Sequence, residues 1–164
     1  MTLDFNQLFA LQKQLDDRIV NEHGLEGLDL FQNKLLALKV EVGELANETR
    51  CFKYWSKKAP SPIETILEEY VDGIHFILSL GLEIGITPRK VPSEVADELS
   101  TVECFHHVYQ AIDHVAEIRN EEAYLHLLNH YLLLGKQIGL NIDDIYEAYL
   151  KKNEVNHNRQ DQGY

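Results

Sequence analysis

At 164 residues, 45% hydrophobic and 26% charged, the chain has the makeup of one globular domain, long enough to bury a core without disulfides or structural metal. A net charge of −12 speaks against a nucleic acid polymer as partner, because such binders need a basic surface to displace counterions. Cys51 and Cys104 fall in no metal or redox spacing and suit a reducing compartment; with no basic, apolar leader and no apolar run near the roughly 18 residues that span a bilayer, a cytoplasmic protein without a membrane partner is expected.

Six helices and no strand are predicted. The first runs from Asp4 to about Val20, with Phe5, Leu8, Phe9, Leu11, Leu15 and Ile19 at helical spacing, and stops before His23-Gly24. Gln12 and Asp16 stand one turn apart on it. A Gln amide offers the paired donor and acceptor that suit a base edge, whereas an ionised Asp only accepts; an ordinary exposed face is the alternative. The second helix spans Leu28 to Trp55 and carries Glu41-Val42-Gly43-Glu44. Trp55, the one tryptophan, is either a boundary core residue or a platform for a base.

Ala59-Pro60-Ser61-Pro62 forces a turn. Ser61 then reads as a helix cap, with Pro62 in the first turn and Glu64 three after the cap. This third helix runs to Ile84 and carries Glu69-Tyr70-Val71-Asp72, and Gly85, Pro88 and Pro92 break it. A fourth helix is predicted from Ser93 to Ile118, and a fifth from the Arg119-Asn120 turn through Tyr131 to Gly139. The sixth starts at Asn141, which caps free amides, with Asp143 and Asp144 favoured by the helix dipole. It fades near Lys152 into a polar tail, 153–164. Without a repeat or linker, the expected fold class is all-α, a single-domain bundle of about six helices.

Residues three apart share a helix face, so each acidic motif points two carboxylates one way. Folded back across the proline turn, Glu41, Glu44, Glu69 and Asp72 converge. Converging carboxylates raise one another's pKa and destabilise the fold unless a cation sits among them, and oxygen-only ligands favour Mg²⁺ or Mn²⁺. A lone Glu-x-x-Glu is more often a solvated face. Apolar neighbours, Leu36, Val40 and Leu45 around the first motif and Val71, Ile74, Phe76 and Ile77 around the second, argue for partial burial, where unpaired charge is expensive. A rival pairing, Asp72 with His75 and Glu103 with His106, suggests a di-iron bundle, but only one of the two is a Glu-x-x-His. Lys151, Lys152 and Arg159 gather within nine residues among Asn153, Asn156, Asn158 and Gln160. They form either a phosphate-holding set or a basic end that balances the helix dipole.

Glu-x-x-Glu, a gap of 24 residues, then Glu-x-x-Asp resembles the metal-binding pattern of the all-α NTP pyrophosphatase superfamily. Within it, Phe52-Lys53-Tyr54-Trp55 and the stretch from Glu68 to Phe76 resemble the dimeric dUTPases, and the likeness is strongest over 8–20, 36–80 and 146–164. The resemblance implies a homodimer that hydrolyses dUTP to dUMP and pyrophosphate, and dUDP as well, by Mg²⁺-assisted water attack on the α-phosphorus, with Mn²⁺ as a substitute. It implies Glu41, Glu44, Glu69 and Asp72 as metal ligands, with Glu44 orienting or deprotonating the water. Lys152, Asn156, Arg159 and Tyr164 stand at the family's intervals for contacts to the phosphates, and the tail is expected to close on them. Gln12 and Trp55 fit the family's uracil contacts, while Asp16 stands where the family often has Asn. A related house-cleaning pyrophosphatase with another base preference, such as dCTP, and a non-catalytic helical dimerisation module stay open at this point.

Overall fold

Local sequence starts and stops each helix. The computed structural model describes residues 3–91 and 98–164. It contains α1 (Phe5–His23), α2 (Phe31–Thr49), α3 (Ile63–Ile84), α4 (Thr101–Ile118), α5 (Glu121–Gln137) and α6 (Ile142–Asp161). No strand occurs among the described residues, in keeping with the all-α expectation. Side chains supply the missing partners of the first amides. Asp4 accepts from the Gln7 N–H at 3.3 Å, Asn120 from Ala123 at 2.8 Å and Asn141 from Asp144 at 2.9 Å. Ser100 and Glu103 form a reciprocal capping box at 3.2 and 2.7 Å.

Four boundaries differ from the sequence expectation, each for a local reason. The first helix runs a turn further, to His23, because left-handed Gly24 caps it through its N–H to Val20 O. The second is shorter at both ends and stops at Thr49. Arg50 takes a left-handed φ of 58°, and its guanidinium reaches Ser56 Oγ (2.8 Å) and Lys58 O (3.2 Å), folding 50–58 into a closed loop. Trp55 therefore sits on a loop. Ser61 does not cap α3: its hydroxyl donates to the Glu48 carboxylate and its N–H to Glu48 O, and Pro62 holds the cap position with no side-chain bond. The fourth helix begins at Thr101, after the Ser100 box; the expected start at Ser93 and the Pro92 break lie outside the described residues.

The polar stretch expected as a tail is instead the end of α6, helical to Asp161. Tertiary bonds hold it there. Arg18 donates to His157 O (3.2 Å) and pairs with Asp161 (2.5 Å), and His23 bonds Gln160 (3.0 Å). Among the described residues no helix is long and apolar enough to cross a membrane.

The core is built on α3, which packs against α1, α2, α5 and α6. Its apolar residues Ile66, Val71, Ile74, Ile77, Leu78 and Leu80 are all buried. Against α5 the approach is set by two tyrosine–glycine pairs. Tyr70 and Tyr131 stack at 4.5 Å, and each donates its hydroxyl to the other's main-chain carbonyl at 2.8 and 2.7 Å. Each phenol lies over a glycine of the opposite helix, Tyr131 over Gly73 and Tyr70 over Gly135. A Cβ at Gly73 would stand 2.0 Å from the Tyr131 hydroxyl oxygen, so no larger residue fits without moving a helix. Gly73→Ala should destabilise the fold by about 2–3 kcal/mol, read as a lower urea or thermal midpoint; an unchanged midpoint would mean that this crossing does not hold the bundle.

Candidate active site

Stopping α2 at Thr49 brings the two acidic motifs level. At roughly 1.5 Å per residue, Glu44 lies about 8 Å before the end of α2 and Glu69 about 9 Å after the start of α3. Val42, Leu45, Tyr70 and Val71 are buried between the motif residues, so packing the seam brings the carboxylates together. One oxygen each of Glu41, Glu69 and Asp72 lies within 4.8 Å of the other two. Glu44, the exposed member, acts on Glu41 and Glu69 as a like charge and a hydrogen-bonding neighbour.

The electrostatics carry the mark of this crowding. Burial first, then the charges of Asp72 and Glu44, push the Glu41 carboxyl up to about 8. The same causes push Glu69 up to about 7. Burial also raises Asp72, against the opposing pull of Lys152. Glu41 Oε2 is buried without a hydrogen-bond partner among the described residues. An oxygen-only, convergent donor set with one orphaned acceptor fits a hard divalent cation such as Mg²⁺.

The end of α6 faces this cluster. Lys152 Nζ lies 3.0 Å from Asp72 Oδ1 and 3.5 Å from Glu68 Oε1, with its side chain only 14% exposed. Asn156 and Arg159 follow it at four and seven residues on the same helix and so share its face. Arg159 donates to Asn156 Oδ1 at 3.4 Å, lies 5.3 Å from the Tyr164 ring, and its charge is felt at Asp72. All four residues expected to hold phosphate thus lie beside the acid cluster or on one another.

Gln12 and Asp16 are inside the bundle. Gln12 is 3% exposed. Its Nε2 donates to Asp16 Oδ1 (2.9 Å), and its Oε1 accepts from the Tyr149 hydroxyl (2.9 Å) and meets His75 Nδ1 at 2.7 Å. Asp16 Oδ2 accepts from Ser79 Oγ at 2.7 Å. Burial raises the Asp16 carboxyl, and the bonds from Ser79 and Gln12 oppose that. One Gln12 N–H remains for a ligand. Trp55 is not brought to this network: it is 65% exposed, edge-on to Tyr54 and Phe52 at 5.1 and 6.0 Å.

His75, Ser79, Tyr149 and Asn153 were missing from the expected site. His75 and Ser79 follow Asp72 at three and seven residues, the spacing that puts them on its face. Tyr149 precedes Lys152 by three residues, and Asn153 follows Tyr149 by four, so helical periodicity carried a signal for the first three and linked Asn153 to Tyr149. His75 stacks on Tyr149 at 4.3 Å. Burial and the Lys152 charge pull the imidazole down to about 3, so it is neutral. Its Nδ1 is engaged by Gln12, and the side chains close enough to share one ion among the described residues are Glu41, Glu69 and Asp72.

A family model described as dUTPase matches residues 4–164. No curated protein sequence matches the chain.

Crowded carboxylates make stability depend on pH. Glu41 and Glu69 hold protons in the fold up to about 8 and about 7, whereas the unfolded chain gives them up near 4.5. Below the unfolded value this contribution is fully present, and it is lost as pH rises through the folded values. The unfolding midpoint of metal-free protein should therefore fall between pH 5 and pH 8, and Mg²⁺ should raise it more at the upper pH; Glu41→Gln should flatten the slope. A midpoint indifferent to pH would mean that the carboxylates are not crowded in solution.

Proposed function

The chain belongs to the dimeric, all-α dUTPase family, hydrolases of nucleotide metabolism that act as dUTP diphosphatases, and from that premise we propose how its own residues perform the reaction. The observation that supports it most is the meeting of the α2–α3 acid cluster with Lys152 of α6, which sets groups for a cation beside groups for a phosphate.

We propose that this single domain converts dUTP to dUMP and pyrophosphate, and takes dUDP as well. Glu41, Glu44, Glu69 and Asp72 would hold Mg²⁺, or Mn²⁺ in its place, which when bound would offset charge on the phosphate oxygens and lower the pKa of water. Water attacks the α-phosphorus, and the bond from that phosphorus to the bridging oxygen of the leaving group breaks. Glu44, the exposed carboxylate of the four, orients the attacking water and accepts its proton. The electron pair leaves with the pyrophosphate. Lys152, Arg159, the Asn156 amide and the Tyr164 hydroxyl meet the charge that develops there. Lys152 is already aimed by its bond to Asp72, and the last turns of α6, held to α1 by Arg18 and His23, cover the phosphates with Tyr164. Gln12, backed by Asp16, faces the uracil, and exposed Trp55 is available to stack on it.

Leu36 and Val40, four apart on α2, are 64% and 50% exposed and form an apolar stripe suited to a second copy of the chain. We place this homodimer in the cytoplasm, where Cys51 and Cys104, both free, stay reduced.

A panel of dUTP, dCTP, dTTP and dUDP scored for phosphate or pyrophosphate release with Mg²⁺ tests the assignment. dUTP should be the best triphosphate and EDTA should abolish turnover; a preference for dCTP would overturn the substrate. Glu44→Gln and Asp72→Asn should each lower kcat by about a hundredfold or more while circular dichroism stays helical. Full turnover in both would remove the cluster from the chemistry.

A further inference from the structure

A chain of hydrogen bonds runs from Asp16 to His75, and its polarity is set at one end. Asp16 is a carboxylate, which can only accept. The Gln12 atom that faces it at 2.9 Å must therefore be the NH₂ group. Ser79, on the other Asp16 oxygen at 2.7 Å, keeps that carboxylate from turning. With its NH₂ committed, Gln12 presents its oxygen to the opposite side, where the Tyr149 hydroxyl donates at 2.9 Å. His75 Nδ1, 2.7 Å from the same oxygen, must then carry the ring's proton. A neutral imidazole has one N–H, so Nε2 is left as a lone-pair acceptor.

That acceptor has no use inside the protein. His75 is 6% exposed, and Nε2 makes no hydrogen bond among the described residues. The Tyr149 main-chain carbonyl lies near enough to act on the ring but does not bond Nε2. One turn beyond Tyr149, Asn153 is 7% exposed; its side chain lies near enough to the Tyr149 hydroxyl to act on it, but its Nδ2 is buried without a well-formed hydrogen bond and has an N–H to give. Buried polar groups without partners are rare in folded proteins. A buried acceptor on the ring stacked on Tyr149 and a buried donor one turn further along α6 are the two kinds of group that an imide edge, an N–H beside a carbonyl, requires.

We propose that Asp16 is a positioning residue that sets, through Gln12, the tautomer of His75, so that His75 Nε2 accepts the N3–H of uracil while Asn153 Nδ2 donates to an adjacent ring carbonyl. The proposal rests on the dUTP reading above and deepens it. Cytosine presents a lone pair at N3, which faces the Nε2 lone pair and is repelled. Thymine carries the same imide as uracil, so this pair separates uracil from cytosine and leaves thymine to be excluded by shape. In this chain Asn at position 16 would not fix the direction of Gln12. Its amide can turn either oxygen or nitrogen to Gln12, which frees Gln12 to flip and lets the His75 proton move to Nε2.

The tautomer can be read without nucleotide by two-bond ¹H–¹⁵N correlation of the histidine rings, assigned to His75. The wild-type protein should show Nδ1–H with an unprotonated Nε2. Asp16→Asn should move the ring toward Nε2–H and lower the ratio of kcat/KM for dUTP over dCTP by about tenfold or more. Ser79→Ala, which leaves Asp16 as an acceptor, should keep the tautomer. Nε2–H in the wild-type protein would overturn the proposal, whether or not the variants fold. So would an Asp16→Asn enzyme whose tautomer shifts while its ratio holds, or a Ser79→Ala enzyme that behaves as Asp16→Asn does. Failure of dUTP hydrolysis itself would show in the nucleotide panel and leave the tautomer result standing, so the two readings fail separately.

Discussion

Carboxylates gathered on the α2–α3 seam repel one another, and the rest of the site is arranged around that repulsion. Apolar packing of Val42 and Leu45 against the face of α3 that carries Val71 leaves the acids no room to part. Three of them sit with oxygens within 4.8 Å, and Glu41 and Glu69 are driven up to about 8 and about 7. Lys152 relieves part of the charge through Asp72 at 3.0 Å, but a single ammonium cannot satisfy four carboxylates. A fold that keeps such a cluster has a standing affinity for a divalent cation. The lysine that lessens the repulsion is also the one proposed to meet a nucleotide's phosphates.

Strain of this kind needs a rigid backing. α3 supplies it by lying close to α5, where the reciprocal Tyr70–Tyr131 bonds and the bare backbones of Gly73 and Gly135 lock the two helices together. Gly73 directly follows Asp72, so the glycine with least room for a side chain is one residue from the acid that Lys152 holds. The other face of α3 carries His75 and Ser79 to α1 and α6. One helix thus joins the acid cluster, Lys152 of α6 and the Gln12 network.

Much of this was legible in the sequence, for a physical reason. The acidic pairs repeat at three residues and helix caps are local, so periodicity set Glu41, Glu44, Glu69 and Asp72 on two helix faces that the structure brings together, while Lys152, Asn156 and Arg159 were singled out by the resemblance to the dUTPases. Less legible were features decided by distant partners. Ser61 had the look of a cap, yet its hydroxyl is taken by Glu48 across the turn. The polar end of the chain read as a tail because its apolar pattern fades, but Arg18 and His23 of α1 hold it in the helix. Trp55 was expected on a helix and is on a loop because Arg50 turns left-handed and grips Ser56 and Lys58. Gln12 was read as a free amide edge, whereas contacts 63 and 137 residues away claim its oxygen.

The central claim, that crowded carboxylates form a divalent-cation site, is tested most directly by calorimetric titration of Mg²⁺ into nucleotide-free protein at pH 7. Running it in two buffers of different ionisation enthalpy counts the protons released. With Glu41 near 8 and Glu69 near 7, binding should expel about one to two protons per ion. Binding with no proton release, or no binding until millimolar excess, would contradict the account.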